Sequence, residues 1–293
     1  MKHNLFVMLQ YLIPKHLLSR LLGYPAASSL SWIKNPLIRL FIQCFKVNMS
    51  EATNTDPTSY NCFNDFFTRA LRPDVRPINL HPPHLACPVD GCISQLGDIH
   101  HDLIFQAKGH AYSLTELVGG DAEVARPFIN GTFATIYLSP KDYHRVHMPI
   151  NGVLRNMIHV PGQLFSVNQV TTAKVPGLFA RNERVVTIFD TTVGPLCMVL
   201  VGAMIVASIE TVWAGTICPP GCQVSTTHYG DTRLINLKKG EELARFRLGS
   251  TVIVCLPPGV NQWPTELSAG TTTRMGQLFG YLTQFEATPN ADN

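Results

Sequence analysis

Short β-branched runs, cut apart by glycine and proline, fill most of the chain beyond residue 130, and they restrict its possible folds more than any other feature. The stretches 131–137, 153–160, 185–189, 198–209 and 251–256 carry the Val and Ile content expected of strands. Residues 194–209 are uncharged and apolar, but Gly202 in the middle and the β-branched content suit buried strands better than a membrane span. There is no internal repeat, no low-complexity tract and no glycine-rich phosphate loop. With 293 residues, 45% of them hydrophobic, the chain can bury a substantial core, and its length admits one large domain or two small ones. The pattern predicts an α+β fold, with N-terminal amphipathic helices packed on a largely antiparallel β-sheet core.

The first fifty residues differ from the rest. The formal net charge is only +3, but all six Lys and Arg residues of this segment (Lys2, Lys15, Arg20, Lys34, Arg39, Lys46) precede the first acidic residue, Glu51. The remainder carries 17 basic and 20 acidic side chains. Ile33, Leu37, Leu40, Phe41 and Cys44 fall on one helical face, with Lys34 and Arg39 away from it, and Pro36 is expected in the first turn. Leu17, Leu18, Leu21 and Leu22 form a second apolar patch after Pro14, which suits a helix start. Residues 1–50 therefore read as a basic amphipathic region and 51–293 as a β-rich domain. Such helices can lie in an anionic lipid surface or pack on the core or on a partner subunit. Leu5 to Ile13 is too short to cross a bilayer, and Pro14, Lys15 and Arg20 interrupt any signal-peptide pattern. Eight cysteines show no disulfide framework for a chain of this size, so a reducing compartment is the simpler reading.

Three places carry candidate chemistry. Leu248-Gly249-Ser250-Thr251 lies between a charged stretch and the apolar run that opens at Val252. A serine hydroxyl can attack the carbonyl on its own N-terminal side when a glycine there supplies room and dihedral freedom, converting the amide to an ester. Loss of the serine α-proton then expels the ester, and the dehydroalanine left behind hydrolyses to a pyruvoyl group. The same tripeptide also suits a plain turn before a strand. Tyr143-His144-Arg145-Val146-His147 sets two histidines in a proline-bounded strand-turn-strand segment, where either could be a general base or a structural residue. A zinc site has no third ligand at suitable spacing, and no metal is expected. Asp90-Gly91 reads equally as a turn or as a carboxylate that orients a histidine. A serine hydrolase built on Asp90, His147 and Ser250 would lack the Gly-x-Ser-x-Gly elbow. A lipid-surface binding protein would stay uncut.

Together these segments resemble the bacterial phosphatidylserine decarboxylases, which make their own pyruvoyl cofactor. The blocks 63–69 (Phe-Asn-Asp-Phe-Phe-Thr-Arg), 106–110, 161–168 and 179–184 agree in order, and the resemblance extends to about Gly276, being least clear from Pro219 to Asn236. It implies a relay in which Asp90 holds His147 in the tautomer that accepts the Ser250 proton while Gly249 supplies the carbonyl attacked. It assigns His144 to the decarboxylation itself, near the substrate carboxylate or as a proton donor. It also implies a two-chain product split between 249 and 250, a Schiff base between the pyruvoyl group and phosphatidylserine, and phosphatidylethanolamine as product. The expected setting is peripheral, on the cytoplasmic face of an anionic phospholipid membrane, with any higher assembly left open. Nucleic acid is not an expected partner.

Overall fold

The computed structural model describes residues 7–8, 10–11, 13–204, 208–217, 222–230, 233–247 and 250–283, apart from the side chains of Arg20 and Ser250. The strands, in chain order, are β1 (His84–Ala86), β2 (Gly91–Asp98), β3 (Leu103–Ala107), β4 (His110–Ser113), β5 (Thr132–Leu138), β6 (Arg145–His147), β7 (Gly152–Val160), β8 (Arg184–Thr191) and β9 (Gly194–Val201). After them come β10 (Ile209–Thr211), β11 (Gly215–Ile217), β12 (Ser225–His228), β13 (Asn236–Leu237), β14 (Glu242–Phe246), β15 (Ser250–Leu256), β16 (Asn261–Gln262), β17 (Thr272–Thr273) and β18 (Leu278–Leu282). Nine of them form one sheet in the order β12-β7-β8-β9-β15-β5-β2-β17, with β13 also on β7. A four-stranded sheet, β11-β10-β14-β6, lies beside it in the chain path. All pairings between these strands are antiparallel, in keeping with the α+β expectation.

The near-continuous apolar runs follow from burial on both faces of the large sheet. Along β15, Val252, Val254 and Leu256 enter one core cluster, while Ile253 and Cys255 enter the other. Along β9, Leu196, Met198 and Leu200 alternate in the same way with Cys197, Val199 and Val201. Side chains of successive strand residues point to opposite faces, so a strand covered on both sides has no polar partner positions to alternate with. The apolar run expected from 198 to 209 divides: β9 ends at Val201 and Ile209 opens β10 in the other sheet.

Among the described residues the two longest helices, α1 (Lys15–Ala27) and α2 (Ser31–Phe45), precede the sheets, and they pack on each other and on the short α3 (Phe63–Phe67). Their shared core is Ala26, Ile38, Val47, Phe63, Phe66 and Phe67. Two expectations are corrected here. Pro36 sits inside α2 rather than in its first turn, because the helix already starts at Ser31. The inward face of α2 is set by Lys34 and Ile38, with Leu40 and Cys44 turned outward. Lys34 is buried because its ammonium donates to the carbonyls of Thr58 (2.7 Å) and Tyr60 (2.6 Å), and a buried cation needs such partners. Lys15 likewise turns inward, donating to Gln163 Oε1 at 3.1 Å and lying 4.1 Å from the centre of the Phe165 ring. Leu17, Leu21, Tyr24, Leu30, Trp32 and Leu40 are left exposed, Tyr24 and Trp32 by 77% and 75%. Among the described residues no helix is long and apolar enough to cross a membrane.

Candidate active site

β2, β5 and β15 lie side by side, with Cys92 opposite Tyr137 and Tyr137 opposite Thr251. Both flanking strands run antiparallel to β5, so their first residues meet at its C-terminal end. Asp90, immediately before β2, and Ser250, the first residue of β15, are thereby placed at the same end of the sheet with one strand between them, a separation of roughly 10 Å between the two strand axes. Gly91 is needed for this approach: a Cβ there would lie 2.5 Å from the Tyr137 carbonyl oxygen. The chain reaches Ser250 from β14 in the smaller sheet, so the 249–250 junction falls where it crosses from one sheet to the other. Leu248 and Gly249 lie outside the described residues.

β6 brings the histidines to this crossing. It pairs with β14, and the Phe246 amide donates to the His144 carbonyl at 3.0 Å. His147 is tied in through its own amide, which donates to the Pro88 carbonyl at 2.9 Å. Its Nδ1 is 2.8 Å from the Gly240 carbonyl and its Nε2 is 3.1 Å from the Tyr143 hydroxyl. A carbonyl only accepts, so Nδ1 carries the proton and Nε2 is the basic nitrogen, receiving the Tyr143 O–H. Burial holds the imidazole below its ordinary pKa and pushes Tyr143 up to about 12, so the pair is neutral at pH 7 and Tyr143 is the donor.

The expected Asp90–His147 hydrogen bond is not made. Asp90 is occupied by Arg76, whose Nε lies 2.9 and 3.1 Å from the two carboxylate oxygens and whose Nη2 lies 2.5 Å from Oδ2. The Met275 amide adds a further donor at 2.8 Å, and Arg76 also reaches Glu51 Oε2 at 2.7 Å. A charge-assisted guanidinium fork outcompetes a neutral imidazole N–H for the same lone pairs. The hydrogen bonds to Asp90 and Glu51 raise the Arg76 pKa further. The three groups together carry a net negative charge. Asp90 still acts on His147 through space, favouring its charged form.

His144 is fully buried. Its Nδ1 donates to the Asp142 carbonyl at 2.9 Å, Phe67 from α3 covers its ring at 4.0 Å between centroids, and Nε2 has no partner among the described residues. Burial, reinforced by the nearby Arg69 cation, lowers its pKa to about 3. As placed, its free nitrogen is therefore an acceptor and not a proton donor. His144 lines neither of the two cavities nearby, so this bare acceptor is enclosed beside the strand leading into residue 250.

Comparison with known proteins decides the family: a model described as phosphatidylserine decarboxylase matches residues 63–281. The chain belongs to the phosphatidylserine decarboxylase family. A second model, described only as PSD, matches residues 5–46. A phosphatidylserine decarboxylase proenzyme of Ectopseudomonas mendocina (strain ymp) is 58% identical over 282 residues, covering 96% of this chain and 99% of the relative. Those of Pseudomonas putida (strain W619) and Pseudoalteromonas atlantica (strain T6c / ATCC BAA-1087) are each 57% identical, covering 97% and 95% of this chain and 100% and 98% of the relatives.

Two cavities open near this end of the large sheet. One, of about 440 Å³, lies along the Cys92–Tyr137 row and is also lined by Ser139, Lys141, Asp142 and Asn168. The other, of about 270 Å³, is lined among others by Lys46, Glu51, Arg69, Asp90, Tyr143 and Arg274. Both include Lys141, Asp142 and Thr272, so they adjoin. Sequence reasoning missed Arg76, which sits in an irregular loop with no pattern around it, and the Gly240 and Asp142 carbonyls, which leave no side-chain signature. Tyr143 was visible beside the histidines. Its O–H donated to a buried base is the type of partner a buried tyrosine seeks. Among the described residues no group of three or more His, Cys, Asp or Glu could hold a metal ion.

Proposed function

We propose that the chain cuts itself between Gly249 and Ser250, and that the two resulting pieces, still folded together, convert phosphatidylserine to phosphatidylethanolamine at a membrane surface. The observation that carries this reading is His147: a buried, neutral imidazole whose Nδ1–H is engaged by a carbonyl, leaving Nε2 as a base on the strand beside the one that leads to the junction. In this role His147 takes the Ser250 hydroxyl proton as that oxygen attacks the Gly249 carbonyl. Asp90 stabilises the imidazolium through its field instead of through a hydrogen bond, and Tyr143 holds the ring until the proton moves. His144, with its bare Nε2, accepts a hydrogen bond from the bound headgroup during decarboxylation.

A pyruvoyl group at position 250 supplies a ketone that takes up a primary amine and acts as electron sink while carbon dioxide leaves. The backbone around it is fixed: Ser250 pairs with Leu138, and Thr251 with both Tyr137 and Val201. The membrane setting is supported by the outward leucines and aromatics of α1 and α2 more than by charge. Lys15 and Lys34 are spent inside the protein, whereas each apolar side chain taken from water contributes about 1.5–3 kcal/mol. Residues 1–50 would accordingly serve membrane association, and 51–293 catalysis, on the cytoplasmic face.

The test is incubation of the purified protein with phosphatidylserine in detergent micelles, beside aminooxy labelling of the protein. Phosphatidylethanolamine and carbon dioxide should form, and the label should sit on the short chain and vanish in Ser250→Ala. Release of free fatty acid or serine with no labelled carbonyl would favour a hydrolase and reject the proposal.

A further inference from the structure

Half of the charged groups around the smaller cavity are already paired. Arg76 is committed to Asp90 and Glu51. Asp142 accepts from the Ser139 amide and hydroxyl, each at 2.7 Å. Arg69 is only partly engaged: its Nη2 donates to the carbonyls of Lys141 (3.0 Å) and Asp142 (3.4 Å), while its buried Nε and Nη1 have no partner among the described residues. Three exposed cations remain, Lys46, Lys141 and Arg274, none with an ion pair or a side-chain hydrogen bond among the described residues.

They come from three separate parts of the chain and converge on one opening. Lys46 caps α2 in a left-handed conformation, directly after the exposed Phe45, so it joins the apolar helix face to the cavity. Lys141 sits at the tip of the 139–142 turn, whose backbone is pinned by the Asp142 amide on Ser139 O (2.9 Å) and by Arg69 on its own carbonyl. Arg274 lies next to Met275, whose amide binds Asp90. Lys141 also lines the larger cavity, which runs along β5 toward the Leu138–Ser250 pair. The order along this path is an apolar face, a ring of free cations and the junction at residue 250. A lipid whose headgroup places a phosphodiester between acyl chains and a reacting amine has the same order of parts.

Resting on the decarboxylase reading above, we propose that Lys141, assisted by Lys46 and Arg274, forms the subsite for the substrate's phosphodiester and so restricts the enzyme to phospholipids over free serine. An ammonium or guanidinium contact to a phosphate oxygen is a charge-assisted hydrogen bond, stronger than a neutral one.

The test uses dihexanoyl phosphatidylserine held below its micelle-forming concentration, so that no lipid surface is present. Lys141→Gln should raise KM about tenfold, a loss of about 1.4 kcal/mol, and the Lys46→Gln/Lys141→Gln/Arg274→Gln triple variant should raise it further. Arg126→Gln, which removes an exposed cation that lines neither cavity, should leave KM unchanged. Intact mass of each variant reports whether it has split and folded like the wild type. KM within twofold of wild type in the triple variant overturns the subsite. So does a loss seen only in binding to phosphatidylglycerol vesicles, which would make the cations a general surface attractant, or a Lys141-dependent site for inorganic phosphate that leaves KM unmoved. A wild-type protein that releases no carbon dioxide from either lipid form rejects the decarboxylase reading itself, a result distinct from an unchanged KM.

Discussion

Replacing Arg76 by methionine strands Asp90, and the cost follows from how little water reaches the pair. The two side chains are 7% and 9% exposed, and Arg76 spends four hydrogen bonds on Asp90 and Glu51 beyond its contact with the Val75 carbonyl. Removing one partner of a buried, hydrogen-bonded ion pair typically costs about 3–5 kcal/mol, because the other charge stays desolvated. At about 2–4 °C per kcal/mol for a chain of this size, Tm should fall by roughly 6–20 °C. Asp90→Asn alone should cost less, since Arg76 keeps Glu51 and a carbonyl. The double variant Arg76→Met/Asp90→Asn should recover a large part of the loss, the coupling being the signature of a direct pair. All four proteins are best compared in a Ser250→Ala background, so that cutting does not vary, by thermal and guanidinium unfolding at pH 7. A loss under about 1 kcal/mol in Arg76→Met, or no recovery in the double variant, would refute the claim that Arg76 is what holds Asp90.

Three further outcomes can be checked. His144 binds its proton far less readily when folded than the ordinary imidazole of the unfolded chain, with a folded pKa of about 3, so stability falls as pH drops from about 6.5 toward 3 and is fully present above that window. Between pH 6.5 and 5, unfolding free energy of the uncut protein should therefore fall by about 1.6 kcal/mol in total more than in His144→Gln, the slope steepening toward about 1.4 kcal/mol per pH unit. Equal slopes would mean that His144 is not buried neutral. Lys34→Met should cost about 2–3 kcal/mol by leaving the Thr58 and Tyr60 carbonyls unpaired, while Arg39→Met, on the exposed side of the same helix, should stay within about 0.5 kcal/mol. After cutting, the short chain should co-elute with the long one on gel filtration and separate only in denaturant, because β15 is paired on both sides, with β5 and β9. Release in plain buffer would contradict that pairing.

The sheet was legible because its strands are buried on both faces, which writes continuous β-branched runs into the sequence. The helices were legible only in part: their apolar patches left a lipid-facing and a core-facing placement open, and Leu17, Leu21 and Leu22 of α1 are exposed, while Lys15 and Lys34 turn inward to partners at Gln163, Thr58 and Tyr60, which no local pattern announces. Asp90, His144, His147 and Ser250 could be picked out by residue type; the fold sets Asp90 and the start of β15 at one end of the large sheet and carries the two histidines in or just before β6 of the smaller one. Their partners could not. His147 is oriented by the main chain of Gly240, His144 by that of Asp142, and Asp90 by an arginine from a loop with no periodicity. Main-chain acceptors depend on three-dimensional register, which no residue type announces.

The central claim is that the chain cuts itself at Ser250, and intact mass of the purified protein beside Ser250→Ala tests it most directly. The account requires two chains that divide between Gly249 and Ser250, the short one lighter by one ammonia than the same sequence starting with serine, and a variant that stays whole. A folded wild-type protein of a single, full-length mass would contradict it.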